Sequence, residues 1–165
     1  MMNLEDYSLE NCLLAALMSE MESEKVYLTV AERVKNVFLK DRLQFLADEE
    51  RKHQKVFENW YQREFDREDI HLPDKIPVPL PGITIENEKV LISEVLEKAI
   101  VAEEAAEDFY RSFSAMFKAD DERRRSLLYI AAMEKTHAQL LEIELKNVLE
   151  IESFHIEWPM MHMGP

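Results

Sequence analysis

The sequence predicts an all-α protein, a four-helix bundle made of two similar helical hairpins, and three observations carry that expectation. Only two of the 165 residues are glycine, which argues against a turn-rich β protein. Leu, Glu, Ala, Lys and Met are abundant, all of them good helix formers, and no stretch alternates strictly enough for a pair of strands. The third observation is an internal repeat. Glu20 and Tyr27 return 83 residues later as Glu103 and Tyr110, and Glu50 and His53 return 84 residues later as Glu134 and His137. Each half therefore reads Glu, seven residues to Tyr, then Glu-x-x-His, as one hairpin written twice in a single domain spanning 1–165.

Four helices follow in order, over about residues 8–36, 41–64, 90–117 and 121–150. Ser8 is a suitable N-cap for the first. Leu13, Leu17, Glu20, Glu24, Tyr27, Ala31 and Val34 then step by three or four residues along one face, so glutamates interrupt an otherwise apolar stripe. A turn between Asn36 and Asp41 leads to the second helix, whose inward face reads Leu39, Leu43, Leu46, Glu50, His53, Phe57 and then Trp60 or Tyr61. Glu50 and His53 thus occupy core positions.

From about 65 to 88 the helical pattern lapses, and residues 73–82 hold four prolines and Gly82, which forbids helix. At about 3.3 Å per extended residue such a segment runs the length of a bundle, so it is expected to be a crossover joining the two hairpins. A flexible linker between two domains fits poorly, because neither hairpin has anything else to cover its stripe. The third helix shows Leu96, Ala99, Glu103, Ala106, Tyr110, Phe113 and Phe117 on one side. Asp120 or Asp121 caps the fourth, which presents Leu127, Ile130, Glu134, His137, Leu141, Leu145 and Val148. The tail, 151–165, is expected to be non-helical, with Trp158 and its methionines packing over the bundle end or a partner chain.

A formal charge of -14 opposes nucleic-acid binding, which rests on Lys and Arg neutralising phosphates. No segment approaches the roughly 18 uninterrupted apolar residues of a membrane span, so no membrane association and a cytoplasmic location are expected. A lone Cys12 rules out an internal disulfide and a Cys₄ iron site.

An i, i+3 spacing on a helix aims a carboxylate and an imidazole at one point, as a transition metal requires. Unpaired carboxylates are costly in a core, and several together repel one another. Stripes that tolerate Glu20, Glu50, Glu103 and Glu134 while containing no Lys or Arg therefore imply a compensating cation. Two divalent ions balance those four carboxylates when both histidines are neutral. The repeat closes the ligand set as Glu20, Glu50, His53, Glu103, Glu134 and His137, and the ligand count suits a two-electron iron pair, with Mn or another divalent metal an alternative. Glu24 and Glu107, four residues beyond Glu20 and Glu103, are expected to face the site as outer acceptors or a way in for iron, not as ligands. Tyr27 and Tyr110 lie two turns beyond Glu20 and Glu103, where a phenol can hydrogen-bond a ligand or lend an electron; they are the candidate catalytic residues.

Over roughly residues 8–150 this arrangement resembles the ferritin-like di-iron carboxylate superfamily and, within it, the rubrerythrin-type domain. The resemblance rests on Glu20-x₆-Tyr27, Glu50-x-x-His53, Glu103-x₂-Ala106-x₂-Phe109-Tyr110 and Glu134-x-x-His137. It implies that Glu50 and Glu134 bridge two irons, that Glu20 and Glu103 are terminal ligands, and that His53 and His137 each cap one iron. It further implies a non-haem di-iron oxidoreductase, peroxidase- or ferroxidase-like, acting on O₂ or H₂O₂ with electrons from an external donor, in a homo-oligomer, first of all a dimer. The alternative it leaves open is an iron-binding or iron-storage protein of the ferritin class. Where full-length rubrerythrins carry a further glutamate this chain has Ala106, and it lacks their rubredoxin-like Cys₄ domain. Arg51 and Lys52 stand where bacterioferritins place a haem-ligating Met, so haem is not implied.

Overall fold

Ser8 does cap the first helix. Its hydroxyl accepts from the Asn11 backbone N–H while the Asn11 side chain accepts from the Ser8 N–H, a reciprocal capping box that fixes the start of α1, Leu9–Arg33. The computed structural model describes residues 2–83 and 90–153 in full and the backbone of 154–157. Asn36 caps α2, Val37–Phe65, through two backbone N–H groups, so this helix begins four residues earlier than the sequence pattern indicates. It ends at Asp66, whose left-handed backbone closes the last turn.

The third helix, α3, runs Ile92–Ser114 and finishes short of Phe117; Ala115, Met116 and Phe117 instead donate to carbonyls three residues back and tighten the chain into a turn. The fourth, α4, covers Glu122–Glu157, with the Asp121 carboxylate accepting from the Arg123 N–H at its start. Residues 151–157 are therefore helical, which corrects the expectation of a non-helical tail from 151 onward. No Gly or Pro interrupts this stretch, and the first breaker is Pro159. Trp158 and the Met/His residues after it lie outside the described residues.

Among the described residues there is no strand, and no helix is long and apolar enough to cross a membrane. α1 packs along α2 and α3 along α4, and the hairpins meet through α1 against α3 and α2 against α4. Two apolar clusters fill the interior. One gathers Leu13, Leu17, Phe57, Tyr61, Phe109, Tyr110, Phe113, Leu127 and Ile130; the other gathers Val26, Tyr27, Val30, Leu39, Leu43, Leu46, Leu96, Leu141 and Val148. The C-terminal parts of α2 and α3 share the first cluster, so these two helices run parallel. Val78 is buried in the first cluster and Ile83 in the second, where the Ile83 N–H donates to Glu22 of α1. Residues 84–88 of the expected crossover lie outside the described residues.

Candidate metal centre

Between the two apolar clusters lies a polar layer. Glu20, Glu50, His53, Glu103, Glu134 and His137 are each at most 3% exposed, one carboxylate from each helix and one imidazole each from α2 and α4. They form two overlapping groups, Glu20, Glu50, His53, Glu134 and Glu50, Glu103, Glu134, His137, within each of which a potential ligand atom from every residue lies within 4.8 Å of the others. Glu50 and Glu134 belong to both groups.

The imidazoles orient the layer. His53 Nδ1 is 3.3 Å from Glu20 Oε2, 3.3 Å from Glu50 Oε2 and 3.0 Å from Glu134 Oε1. His137 Nδ1 is 3.1 Å from Glu50 Oε1, 3.1 Å from Glu134 Oε2 and 3.8 Å from Glu103 Oε2. Their rings stack with centroids 5.8 Å apart. The two tyrosines cross the repeat: Tyr27 of the first half donates its phenol O–H to Glu103 of the second, and Tyr110 donates to Glu20. Both phenol oxygens of the sequence-derived candidate pair therefore touch the acidic layer.

Protonation follows from these contacts. Burial, reinforced by the charges of Glu134 and Glu50, pushes Glu20 well above the usual carboxylate range, and burial with Glu50 and Glu134 does the same to Glu103. For Glu50 and Glu134 burial pushes the same way, but the imidazoles of His137 and His53 outweigh it and hold both carboxyls low. Burial disfavours the imidazolium form too, yet the surrounding carboxylates raise His53 strongly and push His137 up to about 12. Burial, together with the charge of Glu103 or Glu20, pushes the phenols of Tyr27 and Tyr110 up as well. Without a metal, then, the shifts run toward the ionised form for Glu50 and Glu134 and toward the protonated form for both imidazoles, Glu20 and Glu103.

Hydrogen bonding in the layer is incomplete. Among the described residues, both oxygens of Glu50 and Glu134 Oε1 approach the imidazoles at 3.0–3.3 Å without hydrogen-bond geometry, and His53 Nε2 is buried with no partner. Unsatisfied buried acceptors are costly, and here they belong to the two carboxylates shared by both groups. A hard or borderline cation with mixed oxygen and nitrogen ligands fits such a donor set.

Glu24 and Glu107 stand outside both groups. Glu24 accepts from Arg51 Nε at 2.9 Å and from Gln54 Nε2 at 2.6 Å, whereas Glu107 pairs with Arg111 within its own helix. Gln54, 9% exposed, also donates to the Glu20 main-chain carbonyl at 3.2 Å and so ties α1 to α2 beside the layer. Sequence reasoning missed this residue; the available signal was a glutamine directly after His53, facing Glu24 of the neighbouring stripe. Ala106, 8% exposed, leaves no carboxylate at its position. A cleft of about 580 Å³ between α2 and α4, lined in part by Lys52, Val56, Arg125, Tyr129 and Met133, reaches as far as His53.

A duplicated helical hairpin closed around a Glu and Glu-x-x-His layer defines a bundle protein of the ferritin-like class. The Rubrerythrin family model matches residues 11–92, and the chain belongs to that family as a rubrerythrin-like domain. Among solved structures it is similar to a hypothetical protein from Pyrococcus furiosus, with 31% sequence identity, a TM-score of 0.76, and coverage of 90% of this chain and 94% of that one. Among curated proteins nothing matches.

Proposed function

We propose that Glu20, Glu50, His53, Glu103, Glu134 and His137 hold two iron ions and that the protein is a non-haem di-iron oxidoreductase acting on O₂ or H₂O₂. The observation that carries this reading is the pair of shared carboxylates: Glu50 and Glu134 each lie within 3.3 Å of both imidazoles and belong to both groups of potential ligands. In this reading Glu50 and Glu134 would serve both ions, while Glu20 with His53 and Glu103 with His137 would each serve one. When bound, an iron pair supplies two electrons at one place and is restored by an external donor.

The rest of the work falls to the chain. The phenols of Tyr27 and Tyr110 fix the orientation of Glu103 and Glu20 across the repeat. The apolar clusters above and below exclude water and so strengthen every charge interaction in the layer. Imidazoles pushed toward their protonated form in the metal-free chain must lose a proton to become ligands, which makes binding pH-dependent. The test is to add Fe(II) anaerobically, count the iron, then admit H₂O₂ or air while following the near-ultraviolet absorbance. Oxidation by either oxidant followed by a stall until a reductant is added is the expected result, and no oxidation by either sinks the redox assignment. A mineral-storing cage would need many subunits, so a mass measurement in solution separates that alternative from a small oligomer.

A further inference from the structure

The two halves of the molecule close the gap between α2 and α4 differently. In one, Arg42 of α2 reaches Glu144 of α4 at 3.5 Å and so spans the two helices. The repeat puts Ser126 at the position of Arg42 and Trp60 at that of Glu144. Trp60 packs on Phe113 and Phe117, and a serine side chain is too short to cross. The space left open is the cleft of about 580 Å³, lined by Ser126 and reaching His53. Cavities of roughly 300–1,000 Å³ are the size of small-molecule sites.

Its chemistry differs from wall to rim to floor. Val56 of α2 and Ile130 and Met133 of α4 make apolar walls, with Tyr129 at the opening. The charges around it cancel, because Lys52 pairs with Glu49, and Arg125 and Glu122 stand one turn apart on α4. The floor is His53, only 3% exposed. Its Nδ1 is turned to the layer, 3.0–3.3 Å from oxygens of Glu20, Glu50 and Glu134, and its Nε2 has no hydrogen-bond partner among the described residues. With Nδ1 committed to an ion the ring proton sits on Nε2, and a buried N–H without an acceptor is costly.

We propose that the cleft binds a neutral aromatic carbonyl compound, with its ring between Val56, Ile130 and Met133 and its carbonyl oxygen accepting from His53 Nε2. The proposal takes from the metal reading above only that His53 Nδ1 serves an ion. An anion gains nothing from a rim whose charges cancel and is repelled by a chain of formal charge -14. A cation meets an N–H donor at the floor. A flat neutral molecule with one oxygen acceptor at its leading edge satisfies the apolar walls and the orphan donor together. Seated there it touches the layer through one imidazole and displaces none of the six buried groups.

The experiment uses the full chain loaded with Zn(II), metal counted on every sample, and the neutral naphthyl ketone prodan, whose emission moves to shorter wavelength in an apolar site. Saturable binding of one probe per chain is expected, with displacement of the Nε2–H resonance of His53, and not that of His137, in NMR spectra. Ser126→Arg puts into this half the long side chain that spans the other and is expected to weaken binding roughly tenfold or more. Val56→Trp fills the cleft from the α2 wall and is expected to do the same, with helix content of both variants checked by circular dichroism. Phe38→Ser, at a residue 85% exposed on the first turn of α2 and outside the cleft, is expected to leave binding unchanged. Binding that does not saturate, or that is equal in the parent, Ser126→Arg and Val56→Trp, overturns the proposal. Saturable binding that leaves the His53 resonance in place overturns the seat on His53. Two zinc ions per chain with no probe bound overturn the cleft site and leave the metal reading standing. Probe bound with the His53 displacement but fewer than two zinc ions overturns the metal reading and leaves the cleft site standing.

Discussion

In the polar layer the two halves of the molecule match residue for residue, whereas in the clusters on either side they do not. Glu20 answers Glu103, Glu50 answers Glu134, His53 answers His137, and the tyrosines exchange hydrogen bonds across the repeat. One turn further out the correspondence is lost, with Phe113 opposite Val30 in the repeat and Phe57 opposite Leu141. The difference teaches which constraint acts where. A pair of like ions needs ligands at fixed positions from both halves, while an apolar cluster needs only volume and can be filled by aromatic or aliphatic side chains.

If the layer is matched, its proton inventory should be matched too. In the metal-free chain the shifts favour the protonated forms of Glu20, Glu103, His53 and His137, two in each half. Binding two divalent ions should release about four protons, so binding free energy for the pair should grow by about 5 kcal/mol per pH unit near neutrality, at 1.36 kcal/mol per proton. Titration of Zn(II) into weakly buffered metal-free protein with a pH indicator measures the count; release of about two points to only one half taking part.

Stability of the metal-free chain should run the other way. Raised carboxyls and imidazoles bind protons in the folded state that the unfolded chain has lost, so stability falls as pH rises above 4.5 for Glu20 and Glu103 and above 6.5 for the histidines. Glu50 and Glu134, held low, act oppositely and only below pH 4.5, where their contribution is lost as pH falls. Urea midpoints of chelator-treated protein should therefore decline from about pH 5 to pH 9. A rise over that range contradicts the assignment of protons.

The unmatched clusters predict unequal losses. Phe113→Ala should cost about 3–5 kcal/mol and its repeat counterpart Val30→Ala about 2 kcal/mol in urea unfolding. Equal costs would mean that the aromatic end is loosely packed. Within the layer the inequality lies between types of carboxylate. Glu134→Gln removes an anion held by two imidazoles and should cost the metal-free chain about 3 kcal/mol, while Glu20→Gln replaces a group already pushed toward its neutral form and should cost under about 1 kcal/mol. Tyr27→Phe and Tyr110→Phe each lose one buried hydrogen bond and should cost about 1 kcal/mol alike. Unequal values for the tyrosines would show that the ring surroundings, not the hydrogen bond, set their contribution.

Much of this was legible in the sequence, for a physical reason: glutamate and histidine on an apolar helical stripe are conspicuous, and their recurrence at 83 and 84 residues locates both halves of the layer. Helix ends were less legible. Asn36 was a cap visible in principle, but Val37 and Phe38 after it are exposed and stand off the inward stripe, which hid the start of α2, and the charged, apolar-spaced residues from 151 to 157 extended α4 past the point where the periodicity was followed. The protonation pattern could not be read from residues alone. Four glutamates in a stripe suggest mutual repulsion, yet the 3.0–3.3 Å approaches of two imidazoles push Glu50 and Glu134 toward the ionised form while burial pushes Glu20 and Glu103 toward the neutral one. The ring contacts of Phe57, Trp60, Phe109 and Phe113 were equally hidden, because these residues belong to two helices whose alignment is set only when the hairpins dock.

The central claim is that the six buried groups hold two ions between them. Anaerobic reconstitution of the full chain with Fe(II), removal of excess metal and elemental analysis per chain test it most directly. Two ions per chain, falling to one or none in Glu134→Gln, is the expected result. A reproducible stoichiometry of one or none in the parent chain contradicts it.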